Sequence, residues 1–459
     1  MKHTSSTRRA AVAGSAALIL FTAACGASSS GSGGKSGPGA TGACGSPASN
    51  SDDSPITGAV TGKITFVTSG LKSDFADFFN AEIKKFTDAH PGTSVDWQDL
   101  PADSTDARLV TDASSCTLAD VINIATSDIK ALSDAGTLMT LDKKVPGVAD
   151  QFVPSVWTTT GFGKGGTHTA FPWYWGPSVL TYNKKIFTAA GLDPAKPPAT
   201  MADYFADAAQ IKAKTGDASI WGNPTWILPD QWYGMGVQAM NADNTQFTFA
   251  DDPNAKAWMQ GYVDAYKSGA IPKDSITGAP DPSQGFSNGD LAFGSTNASF
   301  LRSVQKNAPQ LYPDTAVAPF PKTDPSKTLL NAQFVAVNKN TKNPAAAVAF
   351  AQFITSPDEQ LAWCKDPKVV IFPTTTKSLQ DPYFSAPADG DPFSTARAVA
   401  AKEAQTAQAW VPALYLGNTD IGKAIVQQLQ LAMQGQVSVD AALKAAQDKA
   451  NTIMASLNH

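Results

Sequence analysis

From residue 63 onward, short runs of β-branched and aromatic residues alternate with amphipathic stretches. "KITFVTSG" (63–70) has the make-up of a strand. Phe75, Phe79, Ile83 and Phe86 then recur at spacings of four, four and three, which is one apolar helical stripe. Ser73 is placed to cap that helix, and His90-Pro91-Gly92 stops it. "TSVDW" (93–97) resumes as strand, a helix is expected around 103–113, and "ADVINIA" (119–125) reads as a buried strand. A helix over 128–135 ends at Gly136. This β-α-β-α-β order predicts parallel strands with helices on both faces. Ligands of such sheets sit at the carboxyl ends of the strands. Those ends are Ser69-Gly70 and Thr126-Ser127-Asp128.

A second α/β unit follows. Thr200 and Asp203 form a capping-box pair at the start of a helix. Pro253 and Gly269 bracket another helix. "SIWG" (219–222), "SNGDLAFGST" (287–296), "TAVAPFP" (315–321) and "AQFVAVN" (332–338) are expected strands or turns into strands. Asn343-Pro344 and Ser356-Pro357 pair an N-cap residue with proline at the first helical position. The last third is helical and ends in "SVDAALKAAQDKANTIMASL" (438–457). There is no internal repeat.

Before residue 63 the pattern is different. Lys2, Arg8 and Arg9 precede the small, apolar run "AAVAGSAALILFTAA" (10–24), which has the form of an export signal rather than a permanent membrane helix. Arg8-Arg9 leaves the choice between general and twin-arginine export open. Ala23-Ala24-Cys25 resembles the lipobox of bacterial lipoproteins, in which the cysteine is acylated and becomes the first mature residue. Thr22 stands where leucine is usual. The Ser/Gly-rich stretch behind Cys25 is a flexible spacer that cannot bury enough surface to order itself.

Loss of the signal leaves 32 basic against 40 acidic residues, a net charge near −8. No basic patch exists, so nucleic acid is not an expected partner. Only 16% of residues are charged, yet there are 10 tryptophans, a balance suited to an uncharged polar ligand with apolar faces. Of the four cysteines, Cys25 is assigned to lipid. A Cys44–Cys116 bridge would pin the linker to the first domain, and Cys364 reads as a small buried side chain.

Four stretches resemble the extracellular solute-binding proteins of ABC importers, within their carbohydrate-binding, maltodextrin-binding-like group. They are "FPWYWGPSVLTYNKKIFTAAGLD" (171–193), "FSNGDLAFGSTNASFLRS" (286–303), "VAPFPK" with "NAQFVAVNKNTKNPAAAVAFAQFITSPDEQ" (317–360), and "VSVDAALKAAQDKA" (437–450). Phe293 stands where that group usually has methionine, and Ser299 near a position often held by a sugar-contacting aromatic. The resemblance implies an α/β protein with the two-lobe, type II periplasmic-binding-protein fold. Its expected parts are a signal peptide (1–24), a lipid-anchored linker (25–62), an N-lobe (63–172 and 285–330) and a C-lobe (173–284 and 331–459). It further implies a monomer that captures a saccharide, docks on membrane permease subunits, and stays tethered to the outer face of the cell membrane.

A sugar presents hydroxyls at its rim and C–H groups on its faces, so its site needs flat apolar rings and convergent polar groups. A ring burying about 60 Å² contributes roughly 1.5 kcal/mol at ~25 cal/mol/Å². Trp173 and Trp175 are expected platforms at the lobe crossover, on one side of a strand by alternation, with hinge packing as the other reading. Trp226 and Trp232 fall where the family places stacking aromatics. Asp128 matches a cleft acid of the family. Ser69 and Lys72 lie at the first strand end, Asn297 in a turn, and Asn331 and Gln333 after the second hinge. Tyr415, Asn418 and Asp420 lie in a loop the family uses near its ligand. Trp97, Trp258 and Trp363 read as core.

Enzymatic chemistry has little to build on. His3, His90, His168 and His459 show no metal-binding spacing, so neither metal nor cofactor is expected. The chain has no nucleophile elbow, P-loop or dinucleotide fingerprint. A carbohydrate-active hydrolase or lyase remains the rival class, and a polyol the rival ligand.

Overall fold

β1 (Gly62–Ser69), β2 (Thr93–Leu100) and β3 (Val121–Ala125) lie parallel, with β1 in the middle. Ile64, Phe66 and Val67, and Val121 through Ile124, are buried because helices cover both faces of the sheet. α1 (Lys72–Ala89) lays Phe75, Phe79 and Phe86 on that sheet. Ser73 does not cap it but lies within its first turn. The Asp99 carboxylate, at the end of β2, takes the amides of Leu71 and Lys72 instead, at 3.0 and 2.9 Å. α2 (Thr105–Ser114) follows β2 and α3 (Thr126–Asp134) follows β3. This computed structural model describes Cys44, Asn50 and residues 53–102, 104–277, 282–417 and 420–457, all within the unit Gly42–His459. The expected signal peptide and Cys25 lie outside the described residues.

The later strands are β4 (Ala170–Trp175), β5 (Val179–Asn183), β6 (Thr315–Pro319), β7 (Thr328–Leu329), β8 (Ala332–Val337), β9 (Phe372–Pro373) and β10 (Ala407–Gln408). Four helices recur below: α4 (Leu228–Met235), α5 (Pro392–Ala404), α6 (Ala413–Leu416) and α7 (Asp420–Met433). The first sheet runs β2-β1-β3-β8-β4-β9, with β8 antiparallel to both β3 and β4. The second lobe has a sparser sheet. β5 pairs with β6, and isolated bridges Tyr182–Phe293 and Ala218–Leu291 extend it, so "SNGDLAFGST" supplies bridges rather than a full strand and "SIWG" forms neither, the bridge falling one residue ahead of it.

Two hydrophobic cores define the lobes. The first contains Phe66, Phe79, Trp173, Phe334, Phe350 and Trp363. The second contains Phe187, Trp232, Phe249, Trp258, Tyr262 and Leu429. The β5–β6 ribbon runs between them: Val179 and Val317 join the first core, while Leu180, Tyr182 and Ala318 join the second. Period-two alternation thus lets one ribbon serve both lobes.

The expected lobe boundaries differ from this arrangement. Residues 331–459 do not form one C-lobe segment. β8, the helices Pro344–Ile354 and Pro357–Cys364, β9 and α5 belong to the first core, because β8 inserts between β3 and β4. From Leu416 on, Leu416, Ile421, Ile425, Leu429 and Leu443 belong to the second core. Residues 285–330 also divide: Phe286 and Ala298–Tyr312 supply the first core, and Ala292, Phe293 and Ala318 the second. Periodicity reports burial, not which core receives it.

Cys44 and Cys116 form a disulfide with a Cα–Cα distance of 5.4 Å, pinning the start of the described chain beside α2. Cys364 is free and buried. The Thr200–Asp203 capping box is formed, and the Pro253–Ser268 helix ends at Gly269 in the left-handed region.

Candidate binding site

The carboxyl ends of β1, β2, β3 and β4 converge on one edge of the first sheet, together with the start of antiparallel β8. Gly70, with φ of 64°, turns the chain from β1 into α1 there, a conformation a side chain would strain. The second lobe reaches this edge through α6, which packs on α3. Lys130 of α3 stands 5.7 Å from the Tyr415 ring, and a Cβ on Gly417 would come within 3.3 Å of Ser127. Glycine at 417 therefore permits the close approach of the two lobes.

Carboxylates mark this edge. Asp128, in the first turn of α3, is 8% exposed, and its Oδ2 accepts the Ala125 amide at 3.2 Å. Burial, reinforced by the Asp106 charge, pushes it up to about 7, although the Ala125 amide and Lys423 oppose the shift. Asp106, in the first turn of α2, is also raised, first by burial, with Lys423 of α7 and its own amide opposing. Lys423 of the second lobe is thus the cation whose charge opposes both shifts. Across the site, Asp230 in the first turn of α4 is buried and pushed up to about 6. Ser178, Asn331 and its own amide hydrogen-bond it and oppose that shift.

Two of the four expected platforms prove to be core. Trp173 is fully buried among Phe66, Phe79 and Trp363. A bulge between Pro172 and Tyr174 breaks the alternation of β4, so Trp173 and Tyr174 both meet Trp363. Trp175 does not share that side. It packs on Phe372 at 5.7 Å and lines a cavity of about 570 Å³ walled by Phe384 and α5. Trp232 is fully buried between Phe249 and Trp258. Trp226 is the opposite case: 60% exposed, just before α4.

Most of the polar candidates are engaged with other groups of the protein. Ser69 Oγ pairs with Thr105 Oγ1 at 2.8 Å. Gln333 Oε1 accepts from Asn123 at 2.8 Å, and Asn331 Nδ2 donates to Asp230 at 2.8 Å. The Asn297 side chain caps Ser299 and is exposed. Lys72 Nζ donates to the Trp97 carbonyl and lies over its ring. Tyr415 is half-buried beside Phe247, and Asp420 is exposed at the start of α7. Asn418 lies outside the described residues. Sequence reasoning passed over Asp99, Asp106, Asp230 and Lys423. An aspartate in the first turn after a strand end was the available signal for Asp106, and Pro229 ahead of Asp230 a similar one.

The polar edge of the first sheet thus meets the second lobe where α6 packs on α3. Residues 72–361 match the bacterial extracellular solute-binding protein family, and the chain belongs to that family. The sn-glycerol-3-phosphate-binding periplasmic protein of Pectobacterium atrosepticum is 28% identical over 245 residues, 50% of this chain and 53% of that relative. The chain thus spans about half the length of the curated relatives it matches. Among solved structures, a periplasmic-binding protein of Synechococcus sp. MITs9220 superposes with a TM-score of 0.73 at 24% identity, covering 86% of this chain and 99% of that one. The ABC substrate-binding protein of Listeria monocytogenes in complex with cycloalternan gives 0.70 at 19% identity, covering 86% and 99%. These likenesses show the type II periplasmic-binding-protein fold.

Proposed function

We propose that this protein is the receptor of an ABC sugar importer, holding a mono- or oligosaccharide between its lobes and passing it to membrane permease subunits. The observation that carries this reading is Trp226, a large indole left 60% exposed four residues ahead of Asp230, whose carboxylate accepts from Asn331 just ahead of β8. An exposed tryptophan is costly to leave in water unless a ligand face covers it, and a sugar ring matches it in shape. The cycloalternan complex of the Listeria structure, which shares the fold, is consistent with that chemistry.

The ligand-facing set in this reading is Trp226, Asp128, Ser69, Asn297, Asn331, Gln333, Tyr415 and Asp420, with Trp175 behind them. The solute is bound and released unchanged, with no cofactor. Contacts made to both lobes at once favour the enclosed state. Export followed by acylation at Cys25 holds a monomer on the outer membrane face, close to the permease. Cys25→Ser should release the protein from cells into the medium.

Calorimetry against a panel of mono- and oligosaccharides tests the reading. Binding without turnover, weakened at least tenfold by Trp226→Ala, supports it. Absence of saccharide binding, or release of cleaved product, overturns it.

A further inference from the structure

The two sides of α5 do different things. Phe393, Ala396, Ala400 and Glu403 recur at spacings of three, four and three and are buried. Ala398, Ala401 and Lys402, with Gln405 just past the helix, lie on another side and wall the cavity of about 570 Å³. The facing wall runs from Leu379 to Pro387 and includes a short 3-10 turn (Pro382–Ser385) that Asp381 caps through the Tyr383 amide. The alanines on the helix side leave the space open, and longer side chains there would fill it. Its size falls within the range of small-molecule sites, roughly 300–1,000 Å³.

The floor is a run of three rings: Trp175 packs on Phe372 at 5.7 Å, and Phe372 on Phe384 at 5.5 Å. Trp175 is 4% exposed, and no described residue accepts its indole N–H. The indole N–H groups of Trp173, Trp232 and Trp363 are also unpartnered but sealed. That of Trp175 is still reachable, and the opening it lines is this cavity. At the rim, the Gln380, Lys402 and Gln405 side chains are exposed and bond to no described residue. Asp381, the one acid among the described lining residues, is already spent on Lys365 at 2.7 Å and the Tyr383 amide at 2.9 Å. Lys402 is therefore the lining charge left without a counter-charge.

We propose that this cavity is a second small-molecule site, separate from the interlobe site, and that it takes a planar aromatic acid. The rings of Trp175, Phe372 and Phe384 cover the aromatic body, the Lys402 ammonium pairs with the acid group, and the Trp175 N–H offers a donor to a ring substituent. A sugar fits these walls poorly, because its hydroxyls would press against Leu379, Phe384, Ala398 and Ala401 and find no partner. Apart from Trp175, none of the lining residues belongs to the ligand-facing set of the interlobe site. The proposal therefore stands whether or not the interlobe ligand is a saccharide.

Calorimetry of the mature chain with 2-naphthoate and its neutral isostere 2-naphthamide tests it. Saturable binding of 2-naphthoate, at least tenfold tighter than that of the amide and weakened at least tenfold by Lys402→Gln, supports the proposal. Ala401→Leu, which fills the cavity, should abolish binding. Lys402 is exposed, so its replacement keeps the test clear of misfolding. No binding of 2-naphthoate at about 1 mM, equal binding of the amide, or full affinity in Lys402→Gln overturns the proposal. Loss of 2-naphthoate binding in Trp226→Ala while Ala401→Leu still binds would put the ligand between the lobes and overturn it as well.

Discussion

Asn331 Nδ2 donates to Asp230 Oδ1 at 2.8 Å, joining the residue just ahead of β8 in the first lobe to α4 of the second. The bond sits where the chain passes between cores, and the Asn331 carbonyl also accepts the Gly176 amide from another crossing segment. Asn331 thus ties two crossings to one buried acid. Removing a donor from a buried carboxylate costs about 1–3 kcal/mol. Asn331→Ala should lose that much stability by urea unfolding. Asp230 is raised to about 6, so its contribution to stability falls as pH rises through that value. The missing donor matters only once the group is ionised. The loss should therefore be larger at pH 8 than at pH 5; equal losses would refute the coupling.

Trp226 and Trp232 lie six residues apart and should behave oppositely. Trp232→Ala empties a fully buried position and should cost about 3–5 kcal/mol, as should Trp173→Ala. Trp226→Ala should leave the unfolding midpoint nearly unchanged while weakening saccharide binding. Unfolding curves read beside calorimetry separate the two effects.

Glu82 and Glu359 provide a pH test away from the site. Burial, then a hydrogen bond to Glu359 and its charge, pushes Glu82 up to about 7, with Lys85 opposing. Lys85 bonds Glu359 directly. An acid whose pKa is raised by folding stabilises the fold below its unfolded value near 4.5, and that stability is lost as pH rises through about 7. Glu82→Gln should flatten this decline, giving a variant that gains on the wild type between pH 5 and 8. A parallel pH profile would rule the pair out as its source.

The Cys44–Cys116 bridge spans 72 residues of sequence. Chain-entropy arguments give about 4 kcal/mol for closing such a loop. Cys116→Ser, or reduction of the wild type, should lower stability by up to that amount with saccharide affinity unchanged, because the bridge lies at the far end of α2 from Thr105.

Much of the architecture was legible. Phe75, Phe79 and Phe86 face the core as their spacing required, and Thr200 with Asp203 caps its helix as written. Caps were less certain. Asn343 and Ser356 stand at their N-cap positions without side-chain cap bonds, and the Asn343 amide is drawn instead to the Lys63 carbonyl. Ser73 yielded to Asp99, 26 residues further along, because a carboxylate on a neighbouring strand end reaches two amides at once. The site was legible only in part. Asp128 was visible as a strand-end residue, whereas the choice between platform and packing for Trp173 was open in the sequence and fell to packing, because the bulge beside it leaves no trace in composition.

Local pattern determined what depends on near neighbours: the alternating strands and helices, the parallel β-α-β start, the stretch before residue 63 that differs from a packed domain, and the polar strand ends. Those features follow from side-chain periodicity and backbone preference within a few residues. Tertiary structure decided which core received each segment, which tryptophans met solvent, and that aspartates from four parts of the chain came to stand at four helix starts. Such outcomes depend on strand pairing between residues as distant as Asn123 and Val335, and no short-range rule reaches that far.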